Sequence, residues 1–385
     1  MSTAGKRLTT FLGGGALLVL LLWFCNRAAV VREDTSPDTF DLGKLHVGST
    51  VEFSAKFLVS SHKHPFDDLF DRMLKWAPQA WSQTLSRVHP KNFRKAPDPV
   101  DLSTLKPIIQ TPAFIRVQKI IPEQRKEWYG GRPFVVLHLT LDTSQPGSYD
   151  RKVKLTLDRR KASLPIHFTV QERQSTMPKL LIATTPYQAY STDSGSNFFS
   201  ITKLLSSLPL SADYLNELPR QLEPYQVVLL ADSVLARLNA DDIVRLRSFV
   251  EKGGRLILAC DAFMSGTVPK SNQMLTNYGL QVEDQDYGTS VTVTNLATDP
   301  LTRGIQRLQF WRPSLIQVTD GSKAKALALS SDGKGGFVAV ARLGSGGEIT
   351  VLTASLWWLW VEQFKTNSDN IHLMESILRH ADRAR

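Results

Sequence analysis

The sequence predicts an α/β protein in which a doubly wound, largely parallel sheet is preceded by an antiparallel β-sandwich and an N-terminal transmembrane helix. Three observations lead to this class. They are an apolar run near the start, period-two alternation in the middle, and short continuous apolar runs in the second half. At 385 residues and 42% hydrophobic, the chain is long enough for two folded domains beside the helix.

The first element is an apolar run over residues 8–25, flanked by Lys6, Arg7 and Arg27. Its length is near the lower limit for crossing a bilayer, for which about 17 to 25 residues are needed. Residues 23–27 offer no cleavage site of small residues. This favours an uncleaved signal anchor that spans residues 1–32, and it disfavours a cleaved signal peptide. We therefore expect a single-pass membrane protein whose bulk lies on the periplasmic or extracytoplasmic side.

The second element is a β-sandwich over residues 38–175. Apolar and polar residues alternate from Val51 to Val59, and the same period of two recurs in residues 135–141, 153–157 and 166–170. Residues 61–131 interrupt the strands, and Phe66 to Ala77 carries a helical apolar stripe there. We expect a helical insertion that packs on the sandwich. Docking to a membrane surface or a partner is the alternative.

The segment from Phe40 to Val51 resembles the start of immunoglobulin-like domains of the major-sperm-protein and cilia-associated type. The resemblance covers about a dozen residues. It implies a domain that binds or spaces other proteins.

The third element is the α/β domain, expected over residues 177–385. Residues 179–184, 226–231 and 255–260 are short apolar runs, typical of strands buried on both faces of a parallel sheet. Between them, Asn239 is placed to cap a helix that buries Ile243, Leu246, Phe249 and Val250.

In doubly wound sheets, ligands bind at the carboxyl ends of the strands. The polar and aromatic residues at those ends form the predicted ligand crevice: Thr184, Thr185, Tyr187, Asp232, Ser233, Cys260, Asp261, Ser355, Trp357 and Trp358.

The order of elements over residues 177–385 resembles the class I glutamine amidotransferase-like superfamily, which has a flavodoxin-like sheet. Residues 249–259 (FVEKGGRLILA) and 344–353 (GSGGEITVLT) carry the resemblance, which is nearest to its membrane-associated, trehalose-utilisation-like branch. Catalytic members use a cysteine between two glycines and a histidine near the C-terminus. Cys260 occupies the cysteine position without those glycines, and residues 354–358 (ASLWW) stand where the histidine strand ends. The resemblance thus implies a degenerate site that has lost its base.

These features predict a membrane-tethered, non-catalytic binding or assembly protein whose partners are envelope or membrane proteins. Two alternatives stay open: an amidase or hydrolase that uses Cys260, and a carbohydrate-binding module that uses Trp357 and Trp358 for a small polar or sugar ligand. We expect no cofactor, and no metal site because His62, His64 and His89 lack ligand spacing. We expect no nucleic-acid binding despite the net charge of +10, since basic and acidic residues are interspersed.

Overall fold

The computed structural model describes residues 40–58, 107–124, 133–157, 160–183, 204–260, 262, 266–285, 287, 290–353 and 368–379. Strands account for most of the regular structure in these ranges.

Seven strands form the N-terminal half of the described chain. They are β1 (Phe40–His46), β2 (Val51–Leu58), β3 (Pro107–Gln110), β4 (Ile115–Gln124), β5 (Pro133–Leu141), β6 (Gly147–Leu157) and β7 (Arg160–Gln171). A four-stranded sheet has the order β1-β7-β6-β3, and a second layer runs β2-β5-β4. Phe53, Leu137 and Phe168 are fully buried in the core of these two layers, because alternate residues of each strand face inward.

Eleven further strands follow. They are β8 (Lys179–Ala183), β9 (Ser211–Leu215), β10 (Val227–Ala231), β11 (Arg255–Ala259), β12 (Leu280–Val282), β13 (Val291–Val293), β14 (Leu308–Phe310), β15 (Ile316–Val318), β16 (Ala324–Leu329), β17 (Gly336–Arg342) and β18 (Glu348–Leu352). Apart from the β13-β14 pair, all of them join the layer that contains β2.

The result is a twelve-stranded sheet with the order β12-β15-β17-β18-β11-β10-β8-β9-β2-β5-β4, with β16 paired to β17. The strands from β18 to β2 in this order run parallel to their neighbours, whereas the strands at both ends pair antiparallel. One sheet therefore runs through both halves of the described chain.

Four α-helices with described bounds accompany this sheet: α1 (Asp232–Ala236), α2 (Ala240–Glu251), α3 (Thr267–Leu275) and α4 (Asn370–Arg379). The predicted cap is confirmed, because the Asn239 side chain accepts a hydrogen bond from the Asp242 amide at 2.9 Å and the Asn239 amide donates one to the Asp242 carboxylate at 2.9 Å. The four predicted apolar residues of α2 are buried, and with α1 and α3 they cover one face of the sheet. On the other face, α4 packs in the same core as the sandwich.

The predicted doubly wound α/β class is wrong. The parallel strands exist, but they form the middle of a large mixed sheet in a mainly β molecule. The physical reason is that a continuous apolar run indicates burial on both faces of a strand without specifying what buries it or which strand lies beside it. The flavodoxin-like and amidotransferase-like architecture that was predicted for residues 177–385 is therefore wrong as well.

The predicted single-pass membrane localisation is also corrected. Among the described residues, no helix combines the length and the apolarity that crossing a bilayer requires. The segments 1–32 and 8–25, on which that prediction depended, lie outside the described residues.

Part of the expected helical insertion has a different structure. Residues 107–110 and 115–124 fall within the interval 61–131, yet they form β3 and β4, the outer strands of the two sandwich layers. The apolar stripe from Phe66 to Ala77 lies outside the described residues.

Candidate functional site

Cys260 directly follows β11 and lies in the core. Its side chain is 1% exposed and belongs to the apolar cluster that covers the helical face of the sheet, together with Leu230 and Val268. Its amide donates a hydrogen bond to the Leu352 carbonyl at 2.9 Å, which extends the pairing of β11 with β18. A thiol enclosed in this way is not reachable by a substrate.

Most of the predicted crevice belongs to segments that the structure does not describe. Thr184, Thr185, Tyr187, Asp261, Ser355, Trp357 and Trp358 lie outside the described residues. Asp232 and Ser233 begin α1 directly after β10, and only their backbone is described. The parallel pairing of β10 with β11 does bring the segments of Asp232 and Cys260 to the same edge of the sheet.

A buried polar cluster joins the sandwich to the parallel strands, at the place where β2 meets β9. Asp213 on β9 is 2% exposed, and its carboxylate accepts hydrogen bonds from the Thr50 amide at 2.8 Å and from the Tyr225 hydroxyl at 2.7 Å. The Lys179 ammonium lies 2.6 Å from the same carboxylate. Burial, followed by the hydrogen bond and the charge of Asp213, raises the pKa of the Tyr225 hydroxyl, so this group stays protonated and donates.

Next to this junction lies an open cavity of about 720 Å3, which we call the seam groove. Its first wall is the outward face of β2, β4 and β5. Its second wall is the end of β9 and the loop between β9 and β10. The strand wall contributes Glu52, Gln118, Lys119, Ile121, His138 and Thr140, and the loop wall contributes residues 215–220 together with Arg237. The volume is that of an ordinary ligand site, for which about 300 to 1,000 Å3 is typical.

Local structure explains why adjacent residues of β4 both line this groove. The register of β4 against β5 shifts between Val117 and Lys119, which is a β-bulge at Gln118. A regular strand would send Gln118 and Lys119 to opposite faces, whereas a bulge redirects one of them. The side-chain Nε2 of Gln118 then donates to the Thr140 hydroxyl at 3.1 Å on the groove wall.

The second wall is held by specific contacts. The Asn216 amide donates to the Glu52 carboxylate at 3.2 Å, and the Arg237 guanidinium donates to the Asn216 carbonyl at 2.9 Å. The Arg245 guanidinium donates to the Pro219 carbonyl. These contacts tie the loop to β2, α1 and α2, so the groove has a defined shape.

The groove also contains basic groups that are not engaged elsewhere. Within the part of the chain that the structure describes, the side chains of Lys119 and Arg220 make no hydrogen bond or ion pair. Burial, helped by the charge of Lys119, lowers the pKa of the His138 imidazole, while Glu52 acts in the opposite sense. His138 is therefore neutral at pH 7, and the basic character of the groove comes from Lys119, Arg220 and Arg237.

Sequence reasoning missed this groove entirely. Lys119, Arg220 and Arg237 come from β4, from the loop after β9 and from the end of α1, and no local pattern joins positions so far apart in the chain. The only local signal is the cluster Asn216, Pro219 and Arg220, which is typical of a polar loop.

Comparison with known proteins gives no family for this chain: no protein-family model matches it, and no curated protein matches its sequence. The site is therefore interpreted from its own geometry.

Proposed function

We propose that this protein is a non-catalytic binding or assembly protein that holds a partner protein in the seam groove. The observation that carries this proposal is the groove itself: a cavity of about 720 Å3, open to solvent, in which Lys119 and Arg220 have no described partner. Exposed polar groups with fixed positions and unused bonding capacity are what a binding surface supplies to its partner.

The burial of Cys260 supports a role without catalysis. A cysteine nucleophile must be both ionised and reachable, and this side chain is 1% exposed among apolar neighbours. Cys260 therefore gives no support to the amidase or hydrolase alternative. The carbohydrate-binding alternative depends on Trp357 and Trp358, which lie outside the described residues.

Photo-crosslinking from inside the groove tests this function. Gln118 is exposed on the groove wall, and a photoreactive benzoylphenylalanine at this position in the full-length chain samples whatever occupies the groove. We expect irradiation of the producing cells to yield one discrete adduct with another protein. We also expect its yield to fall when Arg220 is changed to Glu.

The matched control places the same photoreactive residue at Lys152. This residue is exposed on β6, in the other layer of the sandwich. We expect no discrete adduct there. Equal adduct patterns from the two positions, or none from Gln118, would remove the support for a binding groove.

A further inference from the structure

We infer that the occupant of the seam groove is an extended, acidic segment of a partner protein. This inference rests on the proposed binding function and specifies the chemistry of the partner. It follows from the shape of the groove, from the balance of charges along it and from the net charge of the chain.

The groove is elongated. It adjoins a cavity of about 370 Å3 with which it shares Glu217, Leu218, Arg220 and Arg237. That cavity in turn shares Arg220 and Arg245 with a third cavity of about 470 Å3, which reaches Lys252 at the end of α2. Together they form a trough from the face of β4 to the end of α2, with Arg220 lining all three parts. An extended polypeptide can follow such a trough, whereas a compact small molecule would fill only one part of it.

The charges along the trough favour an acidic occupant. Six basic side chains line it: Lys119, Arg220, Arg237, Arg245, Lys252 and Arg255. Of these, Lys119, Arg220 and Lys252 make no hydrogen bond or ion pair within the described residues. These three available cations lie on three different elements and are distributed along the trough.

The acidic side chains of the trough are partly used internally. Glu52 accepts the Asn216 amide, while Asp242 accepts from the Asn239 amide and forms an ion pair with Arg245. Glu217 and Glu223 are the two carboxylates that remain. Available positive groups therefore exceed available negative groups along the trough.

The whole chain carries a formal net charge of +10, so its long-range field attracts acidic segments as well. Single exposed ion pairs contribute little, about 0 to 1 kcal/mol each. Binding thus depends on several carboxylates acting along one extended segment. A single carboxylate or phosphate group cannot meet all the available cations, because Lys119 and Lys252 line different cavities.

Fluorescence anisotropy with a labelled acidic peptide tests this inference. The probe is a fluorescein-labelled decapeptide of alternating Glu and Ala, titrated with the full-length protein at 50 mM and at 500 mM NaCl. We expect saturable binding that weakens at high salt, since screening acts on exposed charges. In the double variant Lys119→Glu/Arg220→Glu, we expect the dissociation constant to rise at least about tenfold.

Two controls make the outcome specific. Lys152→Glu applies the same kind of charge reversal on the opposite sandwich layer, and we expect it to change the dissociation constant less than about twofold. Succinate, at matched ionic strength, tests whether a small dicarboxylate is sufficient. We expect it to leave the peptide bound.

Absence of saturable binding, equal weakening by Lys152→Glu, or displacement by succinate would each overturn the acidic-segment inference. The photo-crosslinking result shows whether only the acidic-segment inference is wrong or whether the proposed binding function is wrong as well. An adduct at Gln118 without peptide binding leaves the binding groove in place with a different partner chemistry, and the absence of both removes the function as well.

Discussion

Cys260 is the residue that decides between a catalytic and a structural interpretation of the parallel strands. Its side chain is 1% exposed, and its amide is already used in the pairing of β11 with β18. A thiol reacts only after a reagent reaches it, so its burial controls its chemistry.

We predict that a thiol reagent labels Cys260 only when the protein opens or unfolds. In a Cys25→Ser background, where Cys260 is the sole cysteine of the chain, labelling at pH 7 should be slow in buffer and fast in denaturant. The measurement is the time course of reaction with a chromogenic disulfide reagent. Rapid stoichiometric labelling of the native protein would show that the thiol is accessible after all.

Glu348 is the most highly connected buried carboxylate among the described residues. It lies 2.7 Å from the Arg255 guanidinium and 2.9 Å from that of Arg342, and Arg342 also pairs with Asp299 at 2.8 Å. Arg255, 4% exposed, further donates to the Ile377 carbonyl at 3.0 Å. This network ties β11, β17 and β18 to α4.

We predict that Glu348→Gln lowers the free energy of unfolding by about 3 to 5 kcal/mol, because it leaves the Arg255 charge buried without its counter-ion. Urea denaturation at pH 7 measures this loss. Glu223→Gln, at an exposed carboxylate, is the matched control and should change stability by less than about 0.5 kcal/mol. Similar losses of stability in both variants would mean that burial of the Glu348–Arg255 ion pair is not what makes Glu348→Gln destabilising.

The ion pair between Glu348 and Arg255 also predicts that the free energy of unfolding depends on pH. Burial acts to raise the pKa of Glu348, but the charges and hydrogen bonds of Arg255 and Arg342 outweigh it and hold this pKa below its ordinary value of 4.5. A carboxyl with a lowered folded-state pKa stabilises the protein above its unfolded pKa, and that stability is lost as the pH falls through the folded pKa. The stability difference between wild type and Glu348→Gln should therefore narrow below about pH 4.5. A constant difference down to acid unfolding would contradict this.

Single residues could be predicted from sequence where the signal is local. Asn239 and the apolar face of α2 follow from helix capping and a helical period, and both are confirmed. Lys119 and Arg220 could not be recognised as neighbours, because their proximity depends on how β2 and β9 pair.

At the scale of elements, the junction between β2 and β9 joins the two halves of the described chain. Its backbone pairing is short, with Val51 opposite Tyr214 and the Tyr214 amide donating to the Thr50 carbonyl at 2.8 Å. The Asp213 carboxylate reinforces it by accepting the Thr50 amide. We infer that the side-chain cluster around Asp213 stabilises a junction that the backbone alone holds weakly.

We predict that Asp213→Asn destabilises the protein by about 2 to 3 kcal/mol, since Lys179 loses its buried counter-ion. Hydrogen exchange should also speed up at the Tyr214 amide, which lies in the junction. Asp150→Asn, at an exposed position of β6, is the control and should change neither quantity. Unchanged exchange at Tyr214 in the Asp213 variant would mean that the cluster does not hold the junction.

The sequence indicated several elements correctly. Period-two alternation predicts β2, β5, β6 and β7, where the structure has strands, because one face of each is buried against the opposing layer. The short strands from β12 to β15 were not predicted, since three-residue strands carry too little periodicity to be recognised.

At the scale of the whole molecule, one twelve-stranded sheet provides both the sandwich layer and the parallel strands. Apolar side chains cover both of its faces in two buried clusters. Because the walls of the seam groove belong to this sheet and to a loop bound to it, the groove is preformed in the protein alone. Preformed sites lose less conformational entropy on binding.

The overall class was not predictable from local patterns, because neighbouring strands in this sheet are far apart in sequence. β11 pairs with β18, and β9 pairs with β2 across more than 150 residues. Burial patterns constrain which residues face a core, but many strand orders satisfy them equally well.

We propose that the seam groove, and not the thiol at the end of β11, is the functional surface of this protein. Co-purification of the partner with full-length wild type, Arg220→Glu and Cys260→Ala tests this claim directly. We predict that Cys260→Ala retains the partner and Arg220→Glu loses most of it, with both variants folded as judged by circular dichroism. Loss of the partner in Cys260→Ala together with its retention in Arg220→Glu would contradict the account.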